Sequence, residues 1–436
     1  MSHYTPPLHR RILPWLFFLI FLAVAPVLLL YTAGYRYNAK KNQLERNGTL
    51  IVDSTPSGAT IFIDGHTTHE TSPVTFLNMA PGWHRLELKK PGFHPWKKTM
   101  EVRAEQVSFA NDIWLWREHT PSLVLEGDFR SSTPNPLQDM LALIEQSSSS
   151  SAKLWYWSPT QTPPILQQIP SSTVDRLSPL RWNARGTALL GGGITMEQET
   201  WWSKPVEHAR IDLLPRAIYH WLDQSAIGSN GRTQFVLDAR TQTFTQTPLV
   251  PPTLSTSNHL SLKTEATSSG RLLVERSIRT HAFALPPGNW NFGDLRSPYV
   301  LLNDGDHWLA VHPRSDQPHQ GEIRGDRPRW FDGARQPTAL FLSPREVWVW
   351  TIGNAPLLLW RQSEPLVQAV WHRSGQYIFL ADKTRLSAIS LNDHYGRIVT
   401  TLAEFDDIVD MGLVGRDLYI AATKNNQRGL WRMQVE

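Results

Sequence analysis

The chain has 436 residues, 41% of them hydrophobic, with 19 Trp, 32 Pro and no Cys. That length exceeds one ordinary domain, and the absence of cysteine excludes disulfides, thiolate metal sites and a cysteine nucleophile. The formal charge of +4 is concentrated before residue 49, where Arg10, Arg11, Arg36, Lys40, Lys41 and Arg46 face the single acid Glu45, while residues 49–117 balance and 118–436 carry one acid in excess. The pI near 9.2 is therefore a basic collar suited to anionic headgroups. It is not a nucleic-acid footprint, and no nucleic-acid partner is expected.

After a tail over 1–11, Ile12 to Tyr31 reads ILPWLFFLIFLAVAPVLLLY. An uncharged run of about twenty residues crosses a hydrocarbon core of roughly 30 Å as a helix. A transmembrane helix is expected over 12–33, with Trp15 and Tyr31 at the interfaces, Pro14 in the first turn and Pro26 kinking it locally. A cleaved signal peptide would have a shorter apolar core, about 7–15 residues, before a small-x-small site. The reading is an uncleaved anchor whose partner is the lipid bilayer, followed by a basic juxtamembrane linker over 34–48. Arg10 and Arg11 precede the segment and Arg36, Lys40, Lys41 and Arg46 follow it, so a strict positive-inside count favours a cytoplasmic body, and the charge rule alone does not decide. The short N-terminal tail favours the opposite, and the bulk of the chain is expected outside the cytoplasm. Asn47-Gly48-Thr49 is a formal glycosylation sequon to which no role is assigned.

Residues 49–117 read as a small β-sandwich. Leu50-Ile51-Val52 is an apolar strand, and Pro56-Ser57-Gly58-Ala59 supplies a turn. A second strand closes on Asp64-Gly65, a hairpin signal. A third short strand runs from Pro73 to Phe76, and Pro81-Gly82 turns into Trp83 to Lys89. There Leu86 and Leu88 share one face and Arg85, Glu87 and Lys89 the other. Pro91-Gly92 punctuates, and Phe93 and Trp96 are expected to cap the core. The pieces STPSGATIFIDG, LNMAPGWHRLELKKPGFHPW and a closing segment through NDIWLW resemble the PEGA domain, with PSGA at the name-giving tetrapeptide and Ser57 at its Glu position. The anchor followed by TAGYRYN and NGTLIV looks like the membrane-anchored PEGA proteins of ultrasmall, largely uncultivated bacteria. That resemblance covers residues 12–117. It implies an envelope location and a non-catalytic surface role, and it lends no catalytic residue.

Residues 118–436 show a weak recurrence of strand, polar or Gly-rich turn and strand, often carrying Leu-Trp. Trp182-Asn183-Ala184-Arg185-Gly186 and Trp371-His372-Arg373-Ser374-Gly375 share the form W-x-x-x-G before a strand, as expected between the first two strands of a propeller blade. Blades of about 40–45 residues would number about seven or eight here. The region resembles a WD40-like or TolB-like β-propeller, although 206–340 shows the recurrence poorly. The Leu-Trp pairs read as packing between blades. Ser147 to Ser151 reads as a loop tip. The expected fold is thus all-β after one helix.

Candidate chemistry is sparse. His66, His69 and Glu70 are expected in a hairpin loop with no third metal ligand placed nearby. His307 and His312 fall on opposite faces of a strand. Asn303-Asp304-Gly305-Asp306 reads as a turn, Gly191-Gly192-Gly193 as a loop, and Asp406, Asp407 and Asp410 as solvated strand ends. P-loop, nucleophile-elbow and dinucleotide-binding motifs are absent from the sequence. No catalytic residue, cofactor or metal is therefore expected. The function expected is binding or organising an envelope protein or glycan from a membrane-anchored stalk; the alternative is a propeller hydrolase or lyase acting on surface glycans.

Overall fold

A computed structural model describes residues 8–32, 35–38, 43–148, 151–160, 164–169, 180–192, 200–206, 211–222, 224–229, 233–248, 253–256, 260–263, 271–276, 279–284, 290–296, 299–305, 307–312, 319–331 and 333–436. The one helix among them is Leu8–Thr32, and every other element is a strand. The helix begins upstream of Ile12, so Pro14 lies well inside it and not in its first turn. Each of Pro14 and Pro26 removes a backbone donor from the helix. The window Trp15–Thr32 has a mean hydropathy of 2.4 and is entirely unburied. It is the single described helix long and apolar enough to cross a membrane.

The chain divides into two compact units, Met1–Glu118 with Asp393–Ile398, and His119–Asn392 with Val399–Glu436. In the first unit, a hairpin of Tyr35–Asn38 and Gln43–Arg46 precedes two facing sheets. One sheet orders Val74–Met79, Gly48–Thr55 and Val107–Trp114, the last pair parallel. The other orders His66–Thr71, Thr60–Ile63, Gly82–Lys89 and Trp96–Val102. Strand period two sends Leu50 and Val52 from the first sheet, and Ile61, Leu86 and Leu88 from the second, into one core where none is exposed. Trp96 is buried at its edge and Phe93 packs on it partly.

The turn residues build this sandwich. Gly58 and Gly65 have φ of 80° and 84°, as has Asp64 at 52°, the left-handed region a tight hairpin needs. Gly58 N–H donates to Ser72 O at 2.7 Å, and Ala59 N–H to Ser72 Oγ at 3.1 Å. Pro56 and Ser57 complete that turn, with Ser57 exposed. Asp64 accepts from the Arg85 N–H at 2.8 Å and contacts His84 Nδ1 at 2.7 Å. Burial raises its pKa, but these bonds outweigh that and hold it below the usual carboxylate value. Pro81 precedes the strand that Gly82 begins, and Pro91-Gly92 makes the turn before Trp96–Val102. His66, His69 and Glu70 lie on the exposed strand His66–Thr71 and not in a loop. The third strand starts at Val74 and extends to Met79.

In the second unit the described strands form eight antiparallel four-stranded sheets. Seven are built from consecutive strands, beginning with Phe129–Pro134 and ending with Val399–Glu404. The remaining sheet joins the two ends of the unit: Ser122–Glu126 pairs with Gln427–Gln434, followed by Asp417–Lys424 and Asp407–Val414. Its strand Asp407–Val414 touches both Phe129–Pro134 and Leu366–Trp371, so the succession closes into a ring. That is propeller topology, in which closure leaves only short protected edges. Residues 206–340 contain regular sheets, among them Ile218–Leu222, Ser225–Ser229, Thr233–Asp238 and Thr243–Pro248, despite their faint sequence recurrence.

Large apolar side chains fill the space between neighbouring sheets. Ile144, Leu154 and Tyr156 of one meet Leu180, Leu189 and Trp201 of the next, and Trp308 meets Phe341 and Trp350. Gly191 and Gly192 sit on the buried strand Leu189–Gly192 and not in a loop; Gly193 lies outside the described residues. Gly191 pairs with Trp201 across the sheet, and a Cβ there would stand 2.1 Å from the indole. The glycine is thus the space into which Trp201 lies. Of the loop tip expected over Ser147 to Ser151, Ser147 and Ser148 instead end one hairpin strand and Ser151 begins the next, because the two strands pair up to Ser148 and Ser151; residues 149–150 lie outside the described residues.

Candidate functional site

The innermost strands of the propeller surround a cavity of about 580 Å³. Each innermost strand must be tied to its neighbours, because backbone ladders run only within a sheet. Tryptophans supply those ties. Trp182 Nε1–H donates to Thr133 O at 3.2 Å, Trp221 Nε1–H to Arg181 O at 2.8 Å, and Trp371 Nε1–H to Arg329 O at 2.8 Å. Trp330 Nε1–H donates instead to a carboxylate, Asp294 Oδ2, at 2.8 Å. In every case the acceptor belongs to the sheet preceding the tryptophan. All four rings line the cavity.

The W-x-x-x-G segments have a second part in this docking. Gly186 and Gly375 have φ of 63° and 69°, and each closes a turn onto its Asn183 or His372 carbonyl at 2.9 Å. A Cβ at Gly186 would lie 2.1 Å from Asn135 Oδ1, and one at Gly375 2.4 Å from the Phe331 ring. The tryptophan thus bonds to the preceding blade while the glycine lets a side chain of that blade come against the turn. Asn135 Nδ2 uses the approach to donate to Gly186 O at 2.8 Å.

The closing sheet uses a carboxylate instead. Asp410 Oδ1 accepts from Gln368 Nε2 at 2.8 Å and from Met411 N–H at 2.8 Å, and Oδ2 accepts from Ser132 N–H at 2.7 Å. It therefore bridges the blades on both sides of the closure. Burial pushes its pKa above the usual carboxylate value, against the pull of these bonds. This corrects the reading of Asp410 as a solvated strand end; Asp406 and Asp407 are exposed, as that reading had them.

Among the described residues, three guanidinium groups line the cavity: Arg181, Arg327 and Arg329. Arg329 makes a bidentate pair with Asp326 at 2.9 and 2.8 Å. Arg181 donates from Nη1 to Tyr219 O at 2.8 Å and from Nη2 to Gly192 O at 3.1 Å, while its Nε is buried without a hydrogen-bond partner. Burial, with the charge of Arg327 adding to it, holds Arg181 well below its ordinary pKa. Arg327 is lowered by burial too, with Asp294 and Asp326 opposing. Guanidinium remains protonated in proteins even so, and its planar fork matches an oxyanion.

Elsewhere, His307 Nδ1 lies 3.1 Å from Asp304, and the His312 ring is 5.1 Å from that of Tyr299. Asn303 and Asp304 close the intervening hairpin, with Asp306 outside the described residues. Among the described residues no three His, Asp or Glu side chains gather to hold a metal. The residues singled out from sequence occupy separate places: Trp15, Pro26 and Tyr31 on the helix, and the Pro, Gly and Asp turn residues around the sandwich. Trp182 and Trp371 carry a sequence signal in W-x-x-x-G. Trp221, Trp330, Arg181 and Asp410 have no comparable signal, because their roles arise only when blades meet.

Comparison with known proteins adds to this picture. Residues 47–111 match the family model of the PEGA domain. No curated protein matches the chain by sequence. Among solved structures, the chain is similar to one in the mitotic checkpoint complex, at 12% identity and TM-score 0.44, covering 72% of this chain and 92% of that one. The RRP9 WD40 repeats give 7% identity and TM-score 0.43 over 73% and 97%. PorZ, a bacterial surface component of the type-IX secretion system of Porphyromonas gingivalis, gives 11% and 0.39 over 69% and 42%. The chain carries a PEGA domain, one N-terminal apolar helix and a β-propeller.

Proposed function

We propose that the protein is a single-pass, N-terminally anchored envelope protein, in which the PEGA sandwich is a membrane-proximal spacer and the propeller is a non-catalytic binding module for an envelope protein or glycan. The observation that carries this reading is the wholly unburied apolar helix ahead of the β-sandwich and the propeller. Such a surface is stable in lipid and costly in water. The extracytoplasmic placement is supported by the PEGA match. A propeller brings loops and an axial cavity together on a rigid frame, a common arrangement for binding.

Single cysteines at the exposed positions Ser57 and Ser363, in a chain that otherwise has none, test it. Labelling of both by a membrane-impermeant maleimide in intact cells is the expected result. Protection until lysis would put both units in the cytoplasm and end the envelope reading.

A further inference from the structure

One sheet of the sandwich has an outer face that is apolar where alternation calls for polar residues. In the sheet of Val74–Met79, Gly48–Thr55 and Val107–Trp114, Leu50, Val52 and Ala110 point into the core, and the residues alternating with them point out. The outward set includes Ile51, Leu77, Val107 and Phe109. Leu77 is 70% exposed, Phe109 59% and Val107 48%. The ladder brings them together: Ile51 pairs with Phe109 and Thr49 with Val107, while Leu77 falls beside Thr49, between the pairs Phe76–Leu50 and Met79–Gly48. A contiguous apolar patch, unlike scattered apolar residues, marks an interaction surface. The far end of the same face is polar, with Asp53 and Asn111 exposed.

The apolar end is also the end at which the chain enters the sheet from the helix. The hairpin sets Tyr35 opposite Arg46, so a short path across one ladder rung links Thr32, the last helical residue, to Thr49. The two lie within roughly 30 Å of each other. The base of the hairpin is fixed to the strands that carry the patch. Arg46 Nη1 donates to Glu105 Oε1, Glu105 N–H to Asn47 O at 3.1 Å, and Asn47 Nδ2 to Asn78 O at 3.0 Å. Residues 34–48 carry Arg36, Lys40, Lys41 and Arg46 against Glu45 alone, an excess that anionic headgroups attract.

We propose that this apolar end of the sandwich docks on the bilayer that holds the helix, with Leu77, Val107 and Phe109 entering the headgroup region. The helix and the patch are then two parts of one lipid contact, joined by the basic hairpin segment, and the sandwich lies on the membrane. Apolar side chains beside a basic segment bind such an interface by combining apolar burial with attraction to anionic lipid. The proposal rests on the helix being a membrane anchor, and it is independent of which side of the membrane the sandwich occupies.

The test uses the full chain in vesicles of phosphatidylcholine and phosphatidylglycerol. A single cysteine is introduced by Thr75→Cys, on the proposed face opposite Ile51, or by Thr71→Cys, exposed on the other sheet. Each is labelled with an environment-sensitive fluorophore, and quenching by lipids carrying a headgroup nitroxide is measured. Quenching at least threefold stronger at position 75 than at position 71 is the expected result, falling to the level of position 71 with Phe109→Ser or with Leu77→Ser. Both side chains lie outside the core, and either variant keeps the test readable if the other misfolds. Equal quenching at the two positions, or quenching at 75 indifferent to both substitutions, would overturn the docking while the chain still floats with the vesicles. Shielding of position 75 that rises with the protein-to-lipid ratio and ignores the nitroxide would assign the face to a second copy of the chain and overturn it too. A chain that fails to float with the vesicles would end the anchor reading itself, and the docking with it.

Discussion

The sandwich and the propeller are both all-β, yet they are held together differently. The sandwich has a single core, which two sheets supply by simple alternation, and its turns are set by Gly, Pro and Asp over a few residues. The propeller has many small cores between sheets, and its inner wall is joined by polar bonds that span sheet boundaries: Trp182 to Thr133, Trp221 to Arg181, Trp371 to Arg329, and Asp410 to both neighbours. Local chemistry thus specifies the first unit, and pairwise docking of repeated parts specifies the second.

That contrast is tested most strongly at Trp201, which is fully buried against Leu189 and Tyr156. Trp201→Ala should destabilise the propeller by about 4 kcal/mol, seen as an earlier loss in chemical denaturation. An effect under about 1 kcal/mol would mean that inter-sheet packing is not what holds the blades. The next effect depends on pH. His372 has no exposed surface, and burial, aided by Arg373, lowers its pKa to about 4, although Glu436 lies 3.1 Å away. The unfolded chain, with a pKa of about 6.5, binds the proton more readily between those values, so stability is full above pH 6.5 and falls as pH drops towards 4. The contribution approaches about 3 kcal/mol at most. Glu436, raised by burial, acts in the opposite direction, so the quantity to measure is the difference between the parent and His372→Asn across that window. A parallel pair of stability curves would refute the assignment.

Trp371→Phe removes one inter-blade hydrogen bond and keeps most of the packing. It should cost about 1 kcal/mol, since the Arg329 carbonyl loses a donor. The smallest effect belongs to the sandwich. Ser57→Glu restores the residue that gives the PEGA tetrapeptide its second letter, at an exposed turn whose carbonyl accepts from Lys90. Equilibrium stability should move by less than about 0.5 kcal/mol. A loss above about 1 kcal/mol would show that the turn has a constraint its backbone does not display.

The same contrast explains what could be read from sequence. Leu86 and Leu88 alternate with charged residues, and Asp64-Gly65 marks a hairpin, so the sandwich is legible one strand at a time. The strand His66–Thr71 is not legible, because HTTHET is polar throughout and its pairing comes from its neighbour. In the propeller, W-x-x-x-G is legible at Trp182 and Trp371, where the turn needs both residues. It fails at Trp221 and Trp330, which also donate to the preceding blade, Trp221 to a backbone carbonyl and Trp330 to a carboxylate, without the glycine four residues on. Strands such as TFTQTP at Thr243–Pro248 carry little apolar signal, which hides the recurrence over 206–340. Asp410 looks solvated because two exposed aspartates precede it; its burial follows from ring closure, a relation between residues far apart in the chain. The GGG run reads as a loop until Trp201 is seen lying across it.

Closure by one sheet built from both ends of the unit also sets an order of events. Ser122 pairs with Arg432 and Leu123 with Trp431, so the strand made first must wait, without its partner, until almost all the rest has left the ribosome. The intervening blades can collapse as they emerge, but the ring has a lock that only the last strand can turn. Pairings so distant in sequence are slow to form.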